Sequence, residues 1–212
     1  MTAGSGAGGP ILIASFNPGK ARELAALLSQ SGRSAKTLRD VGIDVPYEET
    51  GATYEENGLG KARHYARLSG LVTIADDSGL EVEALGGAPG PLSARYGGPG
   101  LDDAGRNRAL LAALQGVGPA DRGARYVAVA VVARPDGKAR AFRGEVRGRL
   151  LEAPRGGGGF GYDPLFYYEP YGATFAEVSD ERKHAVSHRG AAFAALAEWL
   201  ASPEGERFTC AG

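Results

Sequence analysis

The sequence predicts an α/β fold, and two observations indicate it. An apolar run at residues 10–14 precedes a Gly-containing loop and a helix-forming segment that ends near Gln30, which is a strand–loop–helix order. A second apolar run, residues 71–75, is followed by the adjacent carboxylates Asp76 and Asp77. Because open α/β sheets place their ligands at the carboxyl ends of strands, we expect this acidic pair at such an end.

Composition limits the class of protein. The chain has 212 residues and a formal net charge of -1, so no global basic field favours nucleic-acid binding. Its one cysteine, Cys210, excludes an internal disulfide framework and favours a reducing cytoplasm. No apolar run approaches the roughly 18 residues that a membrane span needs. We expect a disordered Gly-rich tail at residues 1–9 and a single domain at residues 10–212.

The acidic pair is the most informative chemical feature. Ser78 and Gly79 follow it and predict a tight turn, at which Asp76 and Asp77 could converge on one ion. Paired carboxylates repel each other unless a cation or a proton joins them, so a hard divalent metal, Mg2+, is indicated. The alternative is that one Asp caps the turn while the other is solvated.

The loop at residues 15–20 has two interpretations. A loop between a strand and a helix can aim free backbone N–H groups at an anion, and Lys20 in the first helical turn could contact a phosphate. The spacing is not that of a Walker A loop. In the alternative, this is an ordinary connection in which Ser15 or Asn17 caps the helix.

The second helix has a clear start signal. Thr53 and Glu56 form a capping-box pattern, which predicts a helix over residues 54–68. Gly58 and Gly60 each cost this helix about 1 kcal/mol relative to Ala, so a backbone or a ligand is expected to approach closely there. Loose local packing is the other explanation. The remaining predicted elements are strands at 36–41, 79–85, 125–134 and 138–150, a Gly/Pro-rich loop at 86–100, and helices at 102–115 and 191–201.

The last third of the chain contains two further candidate segments. Four glycines, residues 156–159, precede Phe160, which could stack on a planar ring or could be a core aromatic. His188 and Arg189 are expected at the start of the final helix. The histidine spacing excludes a zinc site. A Ser-His-Asp triad is compatible with the spacing, but no G-x-S-x-G elbow accompanies it.

Five stretches, taken together in this order and spacing, resemble one family, the inosine/xanthosine triphosphate pyrophosphatases, also called Ham1-like or noncanonical purine NTP pyrophosphatases. They are S-F-N-P-G-K-A-R-E-L (15–24), E-E-T-G-x-T-Y-E-E-N-G-x-x-K-A (48–62), A-D-D-S-G-L-x-V-x-x-L-G-G-x-P-G-x-x-S-A-R-Y (75–96), G-G-F-G-Y-D-P-x-F (158–166) and K-x-x-x-S-H-R-G-x-A (183–192).

The resemblance implies a fold, an activity and an assembly. The fold is an elongated two-lobed α/β structure around a long mixed sheet with flanking helices and a nucleotide cleft between the lobes. The activity is Mg2+-dependent hydrolysis of ITP, dITP and XTP to the monophosphate and pyrophosphate, which cleanses the nucleotide pool. The assembly is a homodimer, with no nucleic-acid or membrane partner.

The resemblance also implies roles for individual residues. Glu49 and Asp76 resemble metal ligands, and Asp77 resembles the catalytic carboxylate; which Asp binds the metal and which is the base stays open. The residues expected to bind the substrate comprise a phosphate loop with two assistants and a base-binding set: Ser15, Phe16, Asn17, Pro18, Gly19, Lys20, Lys61 and Ser78, then Phe160, Gly161, Tyr162, Asp163, Lys183, His188 and Arg189.

Two other functions compete with this one. A pyrophosphatase of different base preference, such as the related Maf-like proteins, would use the same phosphate chemistry. A non-catalytic nucleotide-binding module would bind without turnover, although three acidic residues, Glu49, Asp76 and Asp77, favour catalysis. A phosphatase with an aspartyl nucleophile is disfavoured because D-x-D-x-T is absent.

Overall fold

A seven-stranded sheet forms the framework of the computed structural model, which describes residues 9–30 and 32–210. The strand order is β2-β1-β3-β4-β5-β6-β7. The strands are β1 (Ile11–Ile13), β2 (Ala35–Thr37), β3 (Thr73–Val82), β4 (Gly123–Ala133), β5 (Ala139–Leu150), β6 (Phe166–Tyr168) and β7 (Ala173–Thr174).

Helices connect and flank these strands. They are α1 (Pro18–Gln30), α2 (Tyr54–Ser69), α3 (Asp103–Ala113), α4 (Asp180–Val186), α5 (His188–Leu200) and α6 (Pro203–Cys210). Within the described ranges, no helix is long and apolar enough to cross a membrane. The predicted disordered tail lies outside the described residues, except for Gly9.

The sheet is mixed, as the family resemblance implies. β1 pairs in parallel with β2 and with β3, so that Leu12 lies opposite Lys36 on one side and Thr73 on the other. β6 pairs antiparallel with β5 and with β7. The parallel strands need crossover connections, and α1 and α2 lie in the chain segments that make them.

The chain divides into two compact units. Unit 1 takes the described residues up to Asp77, with Val129–Arg143 and those from Ala192 onward; unit 2 takes Ser78–Ala128 and Gly144–Ala191. The expectation of one pyrophosphatase domain over residues 10–212 stays a prediction.

Each unit has an apolar core. In unit 1, the three residues of β1 are buried, together with Leu24, Leu28 and Tyr65 from α1 and α2. An all-apolar short strand is typical of a parallel strand covered on both faces. In unit 2, Leu80, Leu110 and Phe166 belong to one buried cluster that holds twelve buried side chains.

Local signals explain where several helices start. The Thr53 hydroxyl accepts the Glu56 N–H, and the Glu56 carboxylate accepts the Thr53 N–H, which is the predicted capping box at α2. The Asp102 side chain caps α3 by accepting the Gly105 N–H, and Ser179 caps α4. The capping box confirms the predicted start of α2.

Several sequence-based expectations differ from the structure. Ser78 and Gly79 form no turn, because β3 runs without a break from Thr73 to Val82. The acidic pair therefore lies in the middle of a strand, where pairing with neighbouring strands outweighs the turn preference of Ser-Gly. The helices α4 and α6 were not expected, and α5 begins at His188 rather than at residue 191.

Candidate active site

Asp76 is a buried carboxylate with a lysine partner. It is 1% exposed, and its Oδ2 lies 2.7 Å from the Lys20 Nζ. Lys20 is in the first turn of α1, whose start is fixed by Asn17: its Oδ1 accepts the backbone N–H of Gly19 at 2.9 Å and that of Lys20 at 3.2 Å. Capping by Asn17, one of the two interpretations of this loop, is therefore what the structure shows, and it places the Lys20 ammonium beside Asp76.

Asp77 has a different environment. Adjacent strand residues point to opposite faces, and Asp77 meets α2, where the Asn57 Nδ2 donates to its Oδ2 at 3.0 Å. Gly58 allows the helix to approach, because a Cβ there would lie 3.0 Å from the Val131 Cγ2. The close approach expected at this glycine is thus present, and it brings Asn57 within hydrogen-bond distance of Asp77.

The pKa of Asp77 is the clearest electrostatic signal of the site. Burial and, secondly, the charge of Glu49 raise this pKa from 3.8 to about 6, although the hydrogen bond from Asn57 and the charges of Lys61 and Lys20 offset part of the effect. A carboxyl with a pKa near neutrality can accept a proton from a reacting group and release it again. The structure therefore gives Asp77 an environment that differs from that of Asp76, while the roles of the two carboxylates stay predictions.

Glu49 and Lys61 form another ion pair in unit 1. Burial lowers the pKa of Lys61, but the carboxylates of Asp76, Glu49 and Asp77 outweigh burial, so that the net shift is upward. Lys61 therefore stays protonated. Unit 1 thus holds three carboxylates close enough to two lysines for strong mutual electrostatic effects.

The carboxylates suit a hard divalent cation by the chemistry of their donors. Oxygen ligands are what Mg2+ prefers, and Glu49, Asp76 and Asp77 supply carboxylate oxygens in unit 1. Over the described ranges, no three His, Cys, Asp or Glu side chains are already grouped as a ligand set. Lys20 and Lys61 instead pair with Asp76 and Glu49.

Unit 2 presents an aromatic ring beside two cations. Phe160 is 41% exposed, so the alternative that it is a core aromatic is wrong. The Lys183 Nζ lies 4.4 Å from the ring centroid and the Arg189 Cζ lies 5.3 Å from it, both within cation–π distance. Asp163 accepts the Phe160 N–H at 2.9 Å and also the Lys183 ammonium at 2.5 Å, so it fixes the ring and the cation together.

The start of α5 holds the other basic residues. The Ser187 hydroxyl accepts the Gly190 N–H at 3.0 Å and so fixes this first turn. Arg189 is buried, and its Nη2 lies 3.4 Å from the Ser78 Oγ. His188 is the first residue of α5, and it is buried and stacks on Tyr126 with ring centroids 4.7 Å apart.

The structure groups the predicted residues by unit. The phosphate loop, Lys61 and the three acidic residues are in unit 1, whereas Ser78 and the residues expected to hold the base are in unit 2. Tyr162 is buried, and its hydroxyl donates to the Ser93 carbonyl. Because this donor is already used, a contact between Tyr162 and a base would have to involve the rest of the side chain. All of these functional roles stay predictions.

Two residues next to the candidate site were not in the predicted set. Asn57 lies four positions before Lys61 on the same face of α2, and that spacing is the signal in the sequence for its place beside Asp77. Tyr126 stacks on His188 and lies 3.4 Å from the Asp163 Oδ1 through its hydroxyl. It belongs to an apolar strand pattern, which contains no signal for this role.

These features define an α/β protein with buried carboxylates and lysines suited to phosphate chemistry, and with an aromatic ring and cations suited to a planar polar ligand. Residues 11–199 match the model of the Ham1 family, and the chain belongs to that family.

Relatives and solved structures agree with this assignment. The chain is 53% identical over 188 residues to a dITP/XTP pyrophosphatase of Thermus thermophilus, covering 89% of this chain and 90% of the relative. It is 47% identical to one of Yersinia pestis, covering 90% and 97%. A HAM1 protein from Coxiella burnetii has a similar structure, with a TM-score of 0.85, 37% identity and coverage of 91% and 98%. A Mycobacterium abscessus structure titled nucleoside-triphosphatase / dITP/XTP pyrophosphatase has a TM-score of 0.74, 44% identity and coverage of 88% and 98%.

Proposed function

We propose that this protein is a Mg2+-dependent pyrophosphatase that hydrolyses noncanonical purine nucleoside triphosphates, dITP, XTP and ITP, to the monophosphate and pyrophosphate. The hydrolase class rests on relatives that share about half of its residues over most of its length and are named dITP/XTP pyrophosphatases. The observation that carries the mechanism is the buried Asp77 carboxylate, which accepts a hydrogen bond from Asn57 and lies in the same unit as the ion-paired carboxylates Asp76 and Glu49.

The lysines bind the triphosphate in this proposal. Lys20 and Lys61 each place an ammonium group beside a carboxylate, and both are mostly shielded from solvent. An ammonium group in a poorly solvated site interacts strongly with phosphate oxygens. The start of α1 adds a favourable dipole, although Asn17 already uses the N–H groups of Gly19 and Lys20.

Glu49 and Asp76 are the proposed ligands of the divalent ion, with Asp77 adjoining them. Bound there, Mg2+ would neutralise phosphate charge and lower the pKa of a coordinated water. Asp76 and Glu49 are suited to a ligand role because an ion pair with a lysine already holds each carboxylate in place.

Asp77 is the proposed general base. With no metal bound, its pKa is about 6, so it is ionised at neutral pH, and as a carboxylate it can accept a proton when a water attacks the α-phosphorus. Pyrophosphate is then the leaving group, and the proton on Asp77 passes to solvent. Asn57 holds the carboxylate in one orientation through its donated hydrogen bond.

Unit 2 supplies the proposed contacts to the base. The exposed Phe160 ring offers a surface for stacking, and Lys183 and Arg189 offer donors beside it. Hypoxanthine and xanthine carry an acceptor oxygen at position 6, whereas adenine carries an amino donor. Donors on the protein therefore favour the 6-oxo purines, since adenine would leave two donors facing each other.

The remaining parts of the proposal concern assembly and location. We place the activity in the cytoplasm, because nucleotides are found there and a chain whose one cysteine is Cys210 has no internal disulfide. A homodimer is expected from the family resemblance, with no nucleic-acid or membrane partner.

A nucleotide panel tests this function. Purified protein is incubated with ITP, XTP, dITP, GTP and ATP, each with Mg2+ or with a chelator, and monophosphate and pyrophosphate are quantified. Fast, metal-dependent turnover of the first three nucleotides is expected. A preference for another base would favour the Maf-like alternative, and binding without turnover would favour the non-catalytic module.

A further inference from the structure

The loop that carries Phe160 is held by helix α3, at the single residue Gly161. The Asp103 Oδ2 accepts the Gly161 N–H at 2.7 Å, and the Asn107 Nδ2 donates to the Gly161 carbonyl at 2.9 Å. Both residues lie on α3, four positions apart, and so share one helix face. Both backbone polar groups of one loop residue are thus fixed by the same helix.

This loop has few side chains with which to pack, although its glycine backbone lies close to Ala176, whose carbonyl accepts the Gly158 N–H. Residues 156–159 are glycines, and a cavity of about 340 Å³ is lined by this run and by α3 residues that include Asp103, Asn107 and Arg108. A glycine run beside a cavity loses more backbone entropy on ordering than any other sequence would. Hydrogen bonds to its backbone are then what sets its position.

The conformation of the loop fits these contacts. Gly161 has a φ of +62°, in the left-handed region, which presents its N–H and its carbonyl to the two α3 side chains. Asp163 accepts the N–H of Phe160, the residue before Gly161. Backbone groups on both sides of the aromatic ring are therefore held by side chains.

Asn107 is buried for this contact. It is 5% exposed, and its Oδ1 has no hydrogen-bond partner, so its one described hydrogen bond is the donation to Gly161. A buried amide that uses so little of its capacity is costly for the fold. A role in positioning the loop explains why an amide occupies this place rather than an apolar side chain.

We infer that Asp103 and Asn107 are positioning residues for base recognition: they hold the Gly161 backbone and thereby set the place of the Phe160 ring beside Lys183 and Arg189. The inference rests on the proposed role of Phe160 as the surface on which the base stacks. It adds α3 to the base-binding machinery, although no α3 side chain needs to touch the substrate.

The test uses the full chain with four variants. Asn107→Asp keeps the shape and loses the donor, and Asp103→Ala loses the acceptor, whereas Asp103→Asn keeps an acceptor oxygen for the Gly161 N–H. Asp102→Ala is the matched control, because it removes a carboxylate that accepts a backbone N–H at 2.7 Å within α3 itself. KM and kcat for ITP are measured, with the inhibition constant of inorganic triphosphate, which reports on the phosphate residues alone.

The expected result separates position from stability. Asn107→Asp raises KM for ITP about tenfold and Asp103→Ala about threefold, in line with the loss of one buried and one exposed hydrogen bond. The kcat value and the inhibition constant of inorganic triphosphate stay within about twofold, Asp103→Asn resembles the wild type, and Asp102→Ala lowers Tm without changing KM.

Two results would overturn the inference: unchanged KM in both Asn107→Asp and Asp103→Ala, or an equal rise of KM in Asp102→Ala. An inactive wild-type protein would instead contradict the proposed function itself, so the two failures are distinguishable.

Discussion

Replacing Asp77 by Asn should abolish turnover and yet stabilise the metal-free protein at neutral and alkaline pH. The folded protein raises the pKa of this carboxyl from 3.8 to about 6, chiefly because the side chain is buried and secondly because Glu49 is close. At about 1.4 kcal/mol per pKa unit, the ionised carboxylate costs the folded state about 3 kcal/mol. An Asn at this position carries no charge and can still accept the hydrogen bond from Asn57.

The sign of the pH dependence follows from the raised pKa. The Asp77 carboxyl gives its full contribution to stability below pH 3.8, and that contribution is lost as pH rises through about 6. The difference in unfolding free energy between Asp77→Asn and wild type should therefore approach about 3 kcal/mol at pH 8 and fall to roughly half of that at pH 5. This value is an upper limit, because a buried Asn has its own desolvation cost.

Urea denaturation in a chelator, at pH 5 and at pH 8, measures this difference. Asp76→Asn is the control on the neighbouring strand residue, and it should destabilise the protein by about 1–3 kcal/mol because it breaks the buried ion pair with Lys20. An Asp77→Asn protein that is no more stable than wild type at pH 8 would refute the electrostatic reasoning. Retained turnover by the same variant would remove Asp77 from the role of base.

Three further substitutions test other parts of the site. Phe160→Ala should raise KM for ITP about tenfold through lost stacking while Tm stays near that of wild type, since the ring is exposed; an unchanged KM would contradict the stacking role. Arg189→Ala should lower the ITP-to-ATP ratio of kcat/KM about tenfold or more, and unaltered selectivity in folded protein would assign base recognition elsewhere. Gly190→Ala should lower Tm sharply because its Cβ would overlap the His184 carbonyl, whereas Gly157→Ala, which meets no atom within 4 Å, should be tolerated; equal Tm values would show that α5 can shift.

Local sequence signals predicted the elements whose cause is local. The capping box of Thr53 and Glu56 depends on residues three positions apart, and the strands predicted at 125–134 and 138–150 correspond to β4 and β5. The turn expected at Ser78-Gly79 was wrong because strand pairing along β3, a long-range effect, overrides the preference of two residues.

The same difference between local signals and long-range packing applies to the candidate site. Residue types indicated Asp77, Lys20 and Phe160, because carboxylates, lysines and a glycine-flanked aromatic have recognisable chemistry. The contacts of Tyr126 and of Asn107 depend on which elements pack together, and no spacing along the chain encodes that. The distinction between Asp76 and Asp77 likewise depends on burial and on partners from different helices.

The site of water attack is the most direct test of the central claim. ITP is hydrolysed with Mg2+ in water enriched in heavy oxygen, the products are separated, and the heavy oxygen in each product is measured by mass spectrometry. The account predicts inosine monophosphate that carries one heavy oxygen and pyrophosphate that carries none, because water attacks the α-phosphorus. Label in pyrophosphate, or inosine diphosphate with orthophosphate as products, would contradict it.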